Sequence, residues 1–172
     1  MNTKFNNNEI VFKPIGIIHS PFKDRERMPI QTIGAQGVKG QIKIFPEFKD
    51  GLKDLDGFSM IILIYHFHLS TDYTLLVKPF LEDTIKGVFA TRAPRRPNQI
   101  GTSIVKLESV EDNILHISNV DIVDGTLILD IKSYIKKIDC IESEKIGWLE
   151  KKVDKFENKN SDDRFIKNNE KN

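Results

Sequence analysis

The chain has 172 residues, of which 39% are hydrophobic and 30% charged, and its formal net charge is +1. That balance is globular, sufficient for a real core, and excludes a disordered chain. So small a net charge removes any case for nucleic-acid binding from overall basicity, and such binding would have to rest on a local patch.

Cys140 is the only cysteine. It excludes a disulfide framework within the chain and a cysteine-based metal site, and it fits a reducing cytoplasm. The start, MNTKFNNNEI, is polar and Asn-rich, without an apolar signal core. The longest apolar run, residues 60–65, is far too short to span a bilayer. The expectation is a cytoplasmic protein with no membrane association, a flexible N-terminus over residues 1–10, one domain over 11–156, and a polar mobile tail over 157–172.

In chain order, residues 11–19 read as a first strand, with Pro14 marking an edge or an entry. A long, punctuated loop follows through residue 37; loops of that length inside compact domains are often functional. Residues 38–45 alternate apolar and polar, the pattern of a half-buried strand. Phe48, Leu52 and Leu55 recur at helical intervals and predict one short helix over 46–56. The apolar run 58–68 predicts a central strand. Residues 70–86 carry no clear pattern. Further strands are expected over 87–92, 103–110, 114–120 and 127–131, with a turn at Glu111–Asn113. About seven short strands separated by turn signals predict a mainly β, single-domain, closed or nearly closed barrel with short flanking helices. No alternation of strands with long helices supports a doubly wound fold. Residues 141–156 place Ile141, Lys145, Trp148, Leu149, Lys152, Val153 and Phe156 at helical spacing, which predicts an amphipathic helix closing one face of the barrel.

The densest stretch is FATRAPRRPNQIG, residues 89–101, with Arg92, Arg95 and Arg96 between Pro94 and Pro97. Proline fixes φ and disfavours helix in the residue before it. The stretch is therefore a stiff connection presenting guanidinium forks, which suit carboxylate or phosphate. His66 and His68 share one strand face, but four histidines without a fitting carboxylate pattern do not make a metal site, and no metal is expected.

FATRAPRRPNQIG resembles the signature ATRSPxRPNPIG of the TsaA-like family, also called TrmO. PIGIIHSPFKD is similar to that family's IGxIxSPYK, DGFSMIILIYHFH to its FSHLWLLFxFH, and DIVDGTLILDIKSYI to its DLVDGTPVLDIKPY. The four motifs keep the family's order from Phe12 to Trp148. The resemblance implies a tRNA methyltransferase that moves a methyl group from S-adenosylmethionine to N6 of threonylcarbamoyl-adenosine at position 37. It also implies a homodimer, and a form without the extra C-terminal domain of larger bacterial members. Two alternatives stay open: a methyltransferase of the same fold acting on another RNA or small molecule, and a non-catalytic nucleic-acid-binding barrel.

Carried over residue by residue, the resemblance implies a cofactor pocket formed by Pro29, Ile30 and Gln31, by His68 and Leu69, by Arg92, by Thr102, and by Asp124, Gly125, Thr126 and Leu127. Ile30 stands where the family has arginine, Thr102 where many members have leucine, and Leu127 where they have proline. Arg95 and Arg96 are expected to contact RNA. Methyl transfer to an exocyclic amine needs in-line positioning and an acceptor for the departing proton. Asn98, after a rigid proline, and Asp124 are the residues expected in that catalytic role, although Gln99 replaces the proline that follows the asparagine in the family.

Overall fold

The structure, a computed structural model, describes residues 10–162 and Phe165. Among these residues the strands are β1 (Gly16–His19), β2 (Lys39–Ile44), β3 (Met60–His66), β4 (Leu76–Val77), β5 (Lys86–Gly87), β6 (Ile100–Glu111), β7 (Ile114–Ser118) and β8 (Leu127–Ser133). Six of them close a barrel in the order β1–β2–β7–β6–β3–β8, with β8 returning to pair with β1. The pairings are antiparallel, and β4 and β5 form a separate two-stranded sheet.

The period-2 pattern builds this barrel directly. Ile61, Leu63 and Tyr65 on β3 point inward at 0–5% exposure, and their neighbours on the strand are only half-buried. Gly101, Ser103, Val105 and Leu107 do the same along the long strand β6. Ile18, Ile42, Ile44, Leu115, Ile117 and Ile128 complete a core dominated by β-branched side chains, which suit a pleated surface. Asp112, at φ 58°, turns β6 back into β7, where the turn was expected.

Two features shape one end of the barrel. The register of β3 against β8 slips between Ile64 and Tyr65, a bulge that re-aims the end of β3. Gly101 lies opposite Tyr65. A Cβ there would lie 2.4 Å from Tyr65 Cε2 and 2.7 Å from Phe67 Cζ, so only glycine lets the two rings pass. At this same end lie the start of β6, the close of β1 and β3, and the connection from β7 into β8.

Several expectations are corrected. The barrel has six strands rather than about seven, because residues 87–92 leave the β conformation after Gly87. Val88–Ala90 forms a 3₁₀ turn, with the Val88 carbonyl accepting from both Thr91 Oγ1 and Arg96 Nη1. The first strand starts only at Gly16; Ile10, Val11 and Phe12 are exposed. The short helix over 46–56 is two 3₁₀ segments, Pro46–Leu52 and Leu55–Gly57, interrupted by Asp54 at φ 63°.

The amphipathic helix over 141–156 is absent. In its place stand a one-turn α1 (Lys136–Asp139) and 3₁₀ turns at Gly147–Leu149 and Val153–Asn158. Gly147, at φ 59°, breaks any helix there, and Trp148 Nε1 donates outward to Ala90 O at 2.8 Å. This segment still covers the barrel end, as a strap rather than a helix. Of the tail expected from residue 157, the described part is docked: Asn160 bridges to Pro29, Ser161 N donates to Met28 O at 2.9 Å, and Phe165 packs edge-on against Phe80. The rest of that tail, and residues 1–9 of the expected flexible N-terminus, lie outside the described residues. No helix among the described residues is long and apolar enough to cross a membrane.

Candidate functional site

The barrel end opens into a cavity of about 820 Å³. Its floor is the barrel itself, through Tyr65 on β3, Gly101 and Thr102 on β6, and Asp121, Ile122, Val123 and Thr126 from the β7–β8 connection. The loop after β1 contributes Arg25 and residues 28–33. The loop after β5 contributes Phe89–Pro94 and Arg96. The strap closes the remaining side with Trp148, Leu149, Val153, Phe156 and Phe165. The strap is anchored at several points: Trp148 to Ala90, Lys152 Nζ to Glu82 Oε2 at 3.0 Å, and Ser161 to the backbone of Arg25 and Met28. The Lys152 hydrogen bond, with backbone bonds from Thr84 and Asp83, holds the Glu82 carboxyl down at about 2.

Three polar features mark the cavity wall. The first is a directional chain. Ser103 Oγ donates to Asp121 Oδ1 at 2.7 Å, so its single proton is used. Tyr65 OH, 3.1 Å from the same Oγ, must then be the donor in that contact. Burial pushes the Asp121 carboxyl up to about 6, against the hydrogen bond from Ser103 and the positive charge of Arg92. Burial, reinforced by the Asp121 charge, also raises the Tyr65 phenol. The second is Arg92, whose Nη1 donates to Gln31 Oε1 at 2.6 Å and so ties the two cavity loops together. The third is His68, whose Nδ1 lies 3.1 Å from Thr126 Oγ1. Burial first, then the charges of His66 and Arg25, lowers the basicity of its ring.

Of the residues expected at a cofactor, Pro29, Ile30, Gln31, His68, Leu69, Arg92, Thr102 and Thr126 line this cavity together. Asp124, Gly125 and Leu127 do not. Asp124 faces away, with Oδ1 accepting from Ser20 N at 3.0 Å and Oδ2 paired with Lys23 Nζ at 2.8 Å. The Lys23 bond, foremost, holds its carboxyl below the ordinary range. Gly125, at φ 77°, makes the turn that follows, and Leu127 is the first residue of β8, paired with Ile17.

The expected catalytic pair is thus not assembled at the cavity. Asp124 pins the loop after β1, and Asn98 is exposed outside the lining, its carbonyl accepting from Ile100 N. Arg95 and Arg96 both find partners within the protein. Arg95, 13% exposed, sits 3.7 Å from Asp72, and Arg96 Nη1 donates to Thr91 O at 2.9 Å and Val88 O at 3.2 Å. Sequence reasoning missed Asp121, Tyr65, Ser103 and Arg25. A signal for Asp121 was available: it is a carboxylate between Val120 and Ile122, in a run that buries both neighbours. Among the described residues no group of three His, Cys, Asp or Glu lies close enough to hold a metal.

Comparison with known proteins adds a family. Residues 17–140 match the model of the tRNA-methyltransferase O N-terminal domain. A protein of Pyrococcus abyssi named as a probable S-adenosyl-L-methionine-binding protein is 53% identical over 157 residues, covering 91% of this chain and 85% of its own. A mouse protein named tRNA (adenine(37)-N6)-methyltransferase is 35% identical over 137 residues, covering 76% of this chain and 32% of its own. A crystal structure of TrmO from Pseudomonas aeruginosa superposes with a TM-score of 0.68 at 34% identity, covering 81% of this chain and 62% of that one. The chain therefore spans less than two thirds of that solved relative.

Proposed function

The chain belongs to the tRNA-methyltransferase O N-terminal domain family, and on that footing we propose that it transfers a methyl group from S-adenosylmethionine to N6 of adenosine 37 in tRNA, in its threonylcarbamoyl form. The observation that carries this reading is the 820 Å³ cavity, whose walls hold a guanidinium and a carboxylate among apolar and aromatic side chains. A ligand pocket typically measures about 300–1,000 Å³ and is mostly apolar, with a few placed polar groups.

The residues present fit the cofactor's chemistry. Its zwitterionic end needs a fork-shaped donor for the carboxylate and an acceptor for the amine, and its sulfonium is a cation. Arg92, held by Gln31, supplies the fork. Asp121, desolvated and fed by only one hydroxyl, supplies a negative charge strengthened by low dielectric. Ile30, Leu69, Phe89 and Trp148 supply apolar and aromatic surface for the ring. Bound there, S-adenosylmethionine supplies an electrophilic methyl group on a positively charged sulfur. The protein's own contribution is positioning, because holding two reactants in line converts a bimolecular step into a unimolecular one. The strap and the two loops line the cavity around that geometry.

The arginine loop reaches RNA as a rigid body. Arg96 braces it through the Val88 and Thr91 carbonyls, and Arg95 is fixed beside Asp72. The assembly proposed is a homodimer; Leu75, Leu76, Ile85 and Phe89 are exposed around the small sheet and offer an apolar surface for it. The proposed setting is the cytoplasm, where the tRNA is found. Incorporation of labelled methyl from S-adenosylmethionine into tRNA tests the reading. Transfer by the wild-type protein and loss in Arg92→Ala support it; binding of the demethylated product without any transfer would reduce the protein to a cofactor-binding barrel.

A further inference from the structure

We infer that His68 is the base that takes the N6 proton, with Nδ1–H committed to Thr126 and Nε2 left as the acceptor within the cavity. The inference rests on the methyltransferase reading and names the residue that completes it.

Proton counting at Thr126 carries the argument. A threonine hydroxyl has one proton to donate. Thr126 Oγ1 donates it to Val123 O at 2.7 Å. The same Oγ1 lies 3.1 Å from His68 Nδ1, so in that contact the ring nitrogen must be the donor. A neutral imidazole has one N–H, and once it is on Nδ1 the lone pair is on Nε2. Among the described residues Nε2 has no hydrogen-bond partner. His68 and Thr126 both line the cavity, where Thr126 is only 2% exposed and His68 is half-buried.

The surroundings keep the ring neutral. Arg25 comes from the loop after β1 and His66 from β3, and the same cavity wall holds Arg92 and Arg96 from the loop after β5, Asp121 from the β7–β8 connection and Asp162 from the strap. A ring of lowered basicity is sufficient here. When the N6 lone pair forms the new N–C bond, the S–C bond breaks and its pair stays on sulfur, and the nitrogen becomes strongly acidic. The N–H proton passes to His68 Nε2. Arg25 and His66 then favour its release to water. Asp121 is less suited to this step, since its Oδ1 already accepts from Ser103 and its charge complements a cation. Asn98 and Asp124 lie off the cavity lining.

Nitrogen NMR of ¹⁵N-histidine-labelled, ligand-free protein reads the tautomer without any turnover. The expected result is a neutral His68 in the Nδ1–H form at pH 7. Thr126→Val should lose that single tautomer and Thr126→Ser should keep it. In turnover, His68→Gln should lower kcat on the order of a hundredfold. Its affinity for S-adenosylhomocysteine should change only a few-fold, and the acidic limb of its kcat–pH profile should disappear. An Nε2–H tautomer in the wild type, or His68→Gln with unchanged kcat, would overturn the inference and leave the methyltransferase reading intact. Absence of transfer by the wild-type protein to any tRNA would overturn both.

Discussion

Replacing Asp121 by asparagine should stabilise the ligand-free protein while weakening its hold on the cofactor. The carboxyl is raised by burial from an ordinary 3.8 to about 6. A raised acid holds its proton more tightly in the folded state, so its contribution is best at low pH and falls as pH rises from 3.8 to about 6. Two units correspond to about 3 kcal/mol lost once pH is above both values. Asparagine has nearly the same shape and can still accept from Ser103 Oγ without carrying charge. At pH 7.5 Asp121→Asn should therefore gain up to about 3 kcal/mol, or about 6–12 °C in Tm for a chain of this size. At pH 4 the gain should shrink below about 1 kcal/mol. Affinity for S-adenosylmethionine should fall roughly thirtyfold, the cost of about 2 kcal/mol for a lost charge-assisted contact. Thermal melts across pH, beside calorimetric titrations, read both effects. A variant less stable than wild type at pH 7.5, or a gain independent of pH, would refute the reasoning that Asp121 is strained by desolvation.

Gly101→Ala should destabilise by about 1–3 kcal/mol, because the new methyl meets the rings of Tyr65 and Phe67; chemical denaturation measures it, and wild-type stability would mean the rings move freely. Arg92→Ala should weaken S-adenosylhomocysteine binding by about 2 kcal/mol, checked by calorimetry, with little loss of fold stability because the side chain is exposed towards the cavity. Trp148→Phe removes the hydrogen bond to Ala90 and should cost about 1 kcal/mol. Faster amide exchange in the strap, with the barrel strands unchanged, would report it.

The barrel was legible wherever burial writes a period of two into the sequence. Ile61, Leu63 and Tyr65, and the alternating positions of β6, face a core that admits one side of each strand. The strap was misread because Trp148, Leu149, Val153 and Phe156 have helical spacing for another reason: they reach the same cavity from an irregular backbone broken at Gly147. The cavity wall was legible at Gln31, His68, Arg92 and Thr126 through motif resemblance. Asp124 was expected at the cavity and lies off its lining, paired with Lys23 101 residues away in sequence, a contact that local pattern cannot announce. Asp121 escaped for a similar reason. Its setting is built from Ser103 on β6 and Tyr65 on β3, and only the closed barrel brings the three together.

The most direct measurement is mass spectrometry of nucleosides from tRNA incubated with the pure protein and S-adenosylmethionine carrying a deuterated methyl group. The account predicts a labelled methyl on threonylcarbamoyl-adenosine at position 37, and none on tRNA that lacks the threonylcarbamoyl group. Label on another nucleoside, or no label under conditions where the cofactor demonstrably binds, would contradict it.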